Sequence, residues 1–200
     1  MRLSILYLLC VFSNIVFAQR FQSRSFAEKK WALTHPVSAI KVKKIYKNAL
    51  PIYQLIKQNK TLDTLENGGK LDAFRHVFFM AAFAQKIKPR KVLKLGIAHE
   101  KGNYHHFKSH ITEHGEIPDS LSTVMDLENN YKGIELGVKN KNCTINELAG
   151  HTLALLVAGN ALYFKRNAQG EYVDCNNHVI NMNDYKQKWF IPKCLIKTNE

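Results

Sequence analysis

Residues 71–85 read LDAFRHVFFMAAFAQ, and from Ala73 to Ala84 every side chain except Arg75 and His76 is apolar. Such a run has no solvent side. A helix that is hydrophobic all round sits in the middle of a fold, with other elements packed around it. The two exceptions set the chemical problem. An unpaired guanidinium inside an apolar helix is strongly unfavourable, so Arg75 needs carboxylates or water close by. Asp72 on the same helix, Glu100 and Asp126 are the acidic residues that could serve.

Read outward from there, the flanking sequence is also helical. Ser25-Phe-Ala-Glu28 is a capping box that opens a short helix to about His35. Pro36 starts the next, where Val42, Ile45, Tyr46, Ala49, Ile52, Tyr53 and Ile56 recur at the helical period and Pro51 is expected to kink or split it. Asn67-Gly68-Gly69 breaks the chain before the central helix, and Lys88-Pro89 ends it. A fourth helix is expected from about Pro89 to Asn103, followed by a polar, His-rich loop to Pro118. Asp119 or Ser120 can cap a fifth helix reaching Gly137, and Thr144-Ile-Asn-Glu147 opens a sixth that runs to about Phe164. The segments flanking Gly170, Leu162-Tyr163-Phe164 and Glu171-Tyr172-Val173, could form a small hairpin.

The pattern predicts an all-α fold, a compact helical bundle or orthogonal helical domain of about five to six helices. It would occupy residues 19–164 with a motif core over 65–140, followed by an irregular or hairpin-containing tail over 165–200 that packs on it.

The N-terminus reads as an export signal. Met1-Arg2 is followed by a mostly apolar run from Leu3 to Phe17, and Val16-Phe17-Ala18 fits a signal-peptidase site. The run is shorter than the roughly 20 apolar residues of a spanning helix, although a retained anchor is the alternative. Cleavage after Ala18 would leave a periplasmic or secreted chain starting at Gln19, with no later transmembrane segment. In an oxidising compartment the remaining Cys143, Cys175 and Cys194 can form one disulfide, and pairing Cys175 with Cys194 would staple the tail.

Lys and Arg number 29 against 16 Asp and Glu, an excess that favours anionic surroundings such as phospholipid headgroups, lipopolysaccharide or nucleic acid. Residues 35–60 contain six lysines and no acidic residue. They form either a solvated basic face or a binding face for anionic envelope lipid or another anionic ligand.

Helical spacing points the polar residues at one interior. Asp72 and His76 lie four apart on one face. Asp126, Asn130, Gly133 and Gly137 form a stripe with Asn129 beside it, and the two glycines would let another helix or a ligand approach closely. His99 shares an inward stripe with Val92, Leu95 and Gly96. In one reading His76, His99 and Asp126 hold a divalent metal such as Zn²⁺ while Glu100 acts as general base on bound water. In another a His–carboxylate pair does metal-free acid–base work and Arg75 holds an anionic group such as phosphate. Either would make the protein a hydrolase of an envelope or phosphate-bearing substrate. The alternative is a non-catalytic structural or anion-binding protein whose network only fixes helix packing. His99-Glu100 does not begin a zinc-protease motif, because Asn103 stands where the second histidine must be. His105, His106, His110 and His114 form a histidine-rich run, and were residues 106–114 helical, His106, His110 and His114 would share a metal-binding or pH-responsive face.

The blocks DAFRHVFF (72–79), AHE (98–100) and MDLENNYKG (125–133) together resemble an uncharacterised bacterial domain family with R-H-x-x-W, H-E and M-D-x-x-N-N-x-x-G blocks. That family occurs in exported proteins and at the ends of large secreted or toxin-like proteins. The resemblance implies a site at Arg75, His76, His99, Glu100, Asp126, Asn129 and Asn130. Here Phe79 replaces the family's usual tryptophan, and the segment between the second and third blocks is long and His-rich.

Overall fold

The computed structural model describes residues 25–112 and 116–200; the expected signal peptide and His114 lie outside them. Within these residues six α-helices follow in order: α1 (Phe26–Thr34), α2 (Pro36–Gln58), α3 (Lys70–Lys86), α4 (Pro89–Lys108), α5 (Ser120–Lys139) and α6 (Ile145–Val157). A two-stranded antiparallel sheet, β1 (Leu162–Phe164) and β2 (Leu195–Lys197), closes the C-terminal part. The architecture is all-α with a small tail, as the periodicity predicted.

α3 is the axis. Its buried residues run almost without interruption from Leu71 to Ala84. Its first turn is held from upstream: Asp63 accepts the Lys70 and Leu71 N–H groups at 2.7 and 3.0 Å, satisfying donors that a helix start leaves open. α5 lies along it. His76 faces Asn130, Ala81 faces Gly137, and Gln85 reaches the Asn140 carbonyl. The numbering climbs together on both helices, so the two run parallel. A Cβ on Gly133 would come within 2.4 Å of the Val77 carbonyl oxygen, and one on Gly137 within 2.1 Å of that of Ala81. The glycines therefore admit the other helix, not a ligand.

Four expectations shift at element ends. α2 runs unbroken through Pro51. α4 continues to Lys108, so His105 and His106 are helical, while His110 follows the helix with φ 54°; His106 and His110 therefore do not share a helical face, and the third histidine expected there, His114, lies outside the described residues. α6 stops at Val157, seven residues early, because the chain turns at Gly159 and Leu162–Phe164 becomes β1. β1 pairs with β2, and the segment near Gly170 contributes only an isolated bridge between Arg166 and Tyr172. A disulfide joins Cys175 to Cys194, and Cys143 is free. Ile180, Ile191, Phe164 and Tyr172 pack with Met125 of α5, which seats the tail on the domain.

Candidate functional site

The N-terminal halves of α3 and α5 meet at a buried polar centre. Asp72 is held first. Its Oδ2 accepts the Gly68 N–H at 2.7 Å, and its Oδ1 accepts Arg75 Nε and Nη2 at 3.0 and 2.6 Å. Gly68 has φ 70°, a conformation glycine adopts without a steric cost, and its carbonyl takes the Phe164 N–H at 2.8 Å. One turn thus ties Asp72 to β1.

His76 stands one helical turn on. Its Nδ1–H donates to Asn130 Oδ1 at 3.0 Å. An amide oxygen can only accept, so the proton is on Nδ1 and Nε2 points into the centre. Asp126 Oδ1 lies 3.2 Å and Asp72 Oδ1 3.5 Å from that Nε2. Burial, followed by the Arg75 charge, pushes the His76 pKa down to about 4, so the imidazole is neutral at ordinary pH. Burial also drives the Asp126 carboxyl well above its usual range, and the charges of Glu100 and Asp72 push the same way. Asp126 Oδ1 is buried and accepts no hydrogen bond from the described residues.

Asp72, His76 and Asp126 each present one donor atom, and the three atoms lie within 4.8 Å of one another. Two carboxylate oxygens and one imidazole nitrogen suit a hard or borderline divalent cation. The Asn130 contact is the kind of outer hydrogen bond that fixes a liganding histidine's tautomer. Arg75 competes for the same atoms: its Nη2 also donates to His76 Nε2 at 3.2 Å. Its side chain is 23 % exposed, far more than that of Asp72, so it has an outlet to solvent. The centre adjoins a narrow cleft of about 10 Å³ whose lining includes Arg75, Asp126, Asn103, Glu116, Asp119 and Lys193.

The expected residues divide into groups. His76, Asp126, Arg75 and Asn130 come together. Glu100 is buried on α4, accepts Asn103 Nδ2 at 3.3 Å and acts on Asp126 through its charge. His99 differs from expectation as a metal ligand. Its Nδ1 faces Glu28 Oε1 at 3.6 Å, because α1 packs on α4 and brings its capping-box carboxylate to this ring; Asp72 takes the third place beside the other two donors. Asn129 has no part in the cleft. Its amide is bonded at both ends to the Leu162 backbone, at 2.9 Å each way, so it is a strut between α5 and β1.

Lys193 was not foreseen. It is 5 % exposed, and its Nζ sits 2.8 Å from Asp119 Oδ2 and over the Phe164 and Tyr172 rings, 5.0 and 4.0 Å from their centroids. Tyr172 donates to Glu116 at 2.6 Å, and burial with the Glu116 charge raises its pKa. A lysine in an irregular tail carries no local sequence signal. Asp72 could have been found, since its spacing to His76 already placed both on one face.

Residues 29–158 match the family described as a domain of unknown function, DUF6973. No curated protein and no solved structure matches the chain. The match ends before β1, so Lys193 and the rest of the tail lie outside it.

Proposed function

We propose that this chain, which belongs to the DUF6973 family, is an exported bacterial hydrolase whose working centre is Asp72, His76 and Asp126 holding one divalent cation. The observation that carries the reading is the buried Asp126 Oδ1, which accepts no hydrogen bond from the described residues and lies 3.2 Å from the lone-pair side of a neutral histidine. Ionising a carboxylate in this setting is costly, as its raised pKa records, and a cation bound at that oxygen would offset the cost. Three protein donors with a cleft beside them fit the pattern of catalytic metal sites, which keep a position open for water or substrate.

In this reading the cation would polarise a bound water or a substrate oxygen. The protein's own residues do the rest. Asn130 keeps the His76 proton on Nδ1. Glu100, buried behind Asp126, adds negative charge that favours a cation. Arg75 yields Asp72 and turns towards the cleft, where it can hold an anionic group of the substrate. Export is supported by the N-terminal signal pattern and by the disulfide. An envelope component or a phosphate-bearing molecule is the substrate class that Arg75 and Lys193 in the cleft would suit.

A second reading has an observation of its own. Arg75 Nη2 already sits 2.6 Å from Asp72 and 3.2 Å from His76, so the guanidinium could be the permanent cation of a non-catalytic network. Metal content by elemental mass spectrometry separates the two. The hydrolase reading expects about one equivalent of Zn²⁺ or Mn²⁺ in the wild type and none in folded Asp126→Asn. It also expects tighter metal binding in Arg75→Gln. A wild type that takes up no divalent ion, with Arg75→Gln equally inert, leaves the network reading in place.

A further inference from the structure

The outer face of α2 takes no part in the centre, and its composition is one-sided. The inner face is settled by Ala49 and Tyr53, which are buried, and by Val42, Ile45 and Ile52, which pack against the core. At 3.6 residues per turn, Val37, Ile40, Lys44 and Leu55 fall on the opposite side. No described residue covers them: Val37 is 67 % exposed, Ile40 71 % and Leu55 50 %. Leu33, at the end of α1, is 75 % exposed, and only Thr34 and His35 separate it from the start of α2. Lys41, Lys43, Lys44 and Lys47 are exposed among these residues, and no carboxylate occurs from His35 to Lys60.

The combination selects a partner. A merely solvated basic face would not carry branched aliphatics at this exposure. Nucleic acid would engage the lysines and gain nothing from Val37 and Ile40. Nor are aromatic platforms free for bases to stack on, since Tyr53 is buried and Tyr46 stacks on Phe79 at 4.9 Å. Aliphatic side chains flanked by lysines of one sign are what a helix lying in a membrane interface presents. The apolar atoms enter the boundary between headgroups and acyl chains, and the ammonium groups stay at the level of the phosphates.

We propose that the outer face of α2 docks the protein on an anionic phospholipid surface. Val37, Ile40 and Leu33 enter the headgroup region, and Lys41, Lys43, Lys44 and Lys47 meet the lipid phosphates. This stands apart from the hydrolase reading, because no residue of the centre takes part.

Vesicle flotation tests it, using the whole chain as an expressing bacterium exports it. Vesicles of phosphatidylcholine alone are compared with vesicles containing phosphatidylglycerol. Binding is expected only with phosphatidylglycerol. It should fall about tenfold or more in Lys44→Glu/Lys47→Glu and several-fold in Val37→Ser/Ile40→Ser, whose lysines are intact. All four positions are exposed, so unchanged melting curves should accompany both losses; because variants of one chain are compared, contributions from outside α2 cancel. Three results would each overturn the proposal: no binding to phosphatidylglycerol vesicles at low salt, equal binding to phosphatidylcholine, or full retention in Val37→Ser/Ile40→Ser. Salt-sensitive binding of duplex DNA without vesicle binding would assign the face to nucleic acid instead.

Discussion

α3 and α5 run side by side in the same direction, yet their two ends follow opposite rules. At the C-terminal end the contact is backbone against backbone, with Gly133 and Gly137 set against the Val77 and Ala81 carbonyls and Met80 beside them. At the N-terminal end Asp72, His76, Asp126 and Asn130 occupy the same interface, and Asp126 is charged only at a cost. One end gains stability from close packing. The other carries groups that an interior optimised for stability would leave out, and such a division is expected where a site is maintained against its own energetics. The sealed end also fixes the register of the helices, and that register sets the distances among the polar groups.

Substitutions at the two ends should therefore differ in size and in sign. Phe78→Ala, in the apolar core around α3, should cost about 3–5 kcal/mol. In a chain of this length each kcal/mol shifts the midpoint by roughly 2–4 °C, so thermal denaturation should show a fall of around 10 °C or more. Gly137→Ala should come next, at about 1–3 kcal/mol, because the added methyl meets a helix carbonyl that cannot step aside. A melting temperature unchanged by that methyl would mean that the helices are not in contact there.

The smaller effects belong to the polar end. Burial pushes the Glu28 carboxyl up, but hydrogen bonding and charge from His99, with the Ser25 N–H, outweigh it and hold the pKa down at about 2. A depressed carboxyl contributes stability above its unfolded pKa, near 4.5, and loses it as the pH falls through 2. Glu28→Gln should thus lower stability by about 1 kcal/mol at pH 7, the partial exposure screening the rest. The gap from wild type should close between pH 4.5 and 2, and a gap independent of pH would remove the ionic account. Asp126→Asn should move the midpoint least, by less than about 1 kcal/mol and upward, since it removes a buried charge while keeping the shape. If it melts earlier than Gly137→Ala, Asp126 is a stabilising member of a structural network, and the contrast between the two ends fails.

Local signals in the sequence were reliable guides to the helices. The capping boxes at Ser25 and Thr144 form as written, and the apolar run around Phe78 is the core. What stayed hidden depends on residues far apart in the chain. Leu162–Phe164 can be read as a helix end or as one arm of a hairpin around Gly170, but its strand partner, Leu195–Lys197, comes from far along the chain. His99 faces inward by periodicity, but Glu28 from α1 lies at its ring. Asn129 and Asn130 are neighbours in sequence with one composition, and only the position of β1 makes the first a strut while the second orients His76. The polar residues could thus be gathered from helical spacing, whereas their division of labour required the packing.

The Cys175–Cys194 bridge bears on how firmly the cleft is walled. Cys194 follows Lys193, which walls the cleft from a tail held by a small apolar cluster and two short strands. Both sulfurs belong to the tail, so the bridge closes a loop of the tail on itself, and α5 meets that loop through the Lys193–Asp119 ion pair and side-chain packing, not through a covalent bond. Oxidation of the two thiols would therefore stiffen the segment that brings Lys193 to the cleft without anchoring it covalently to the helices.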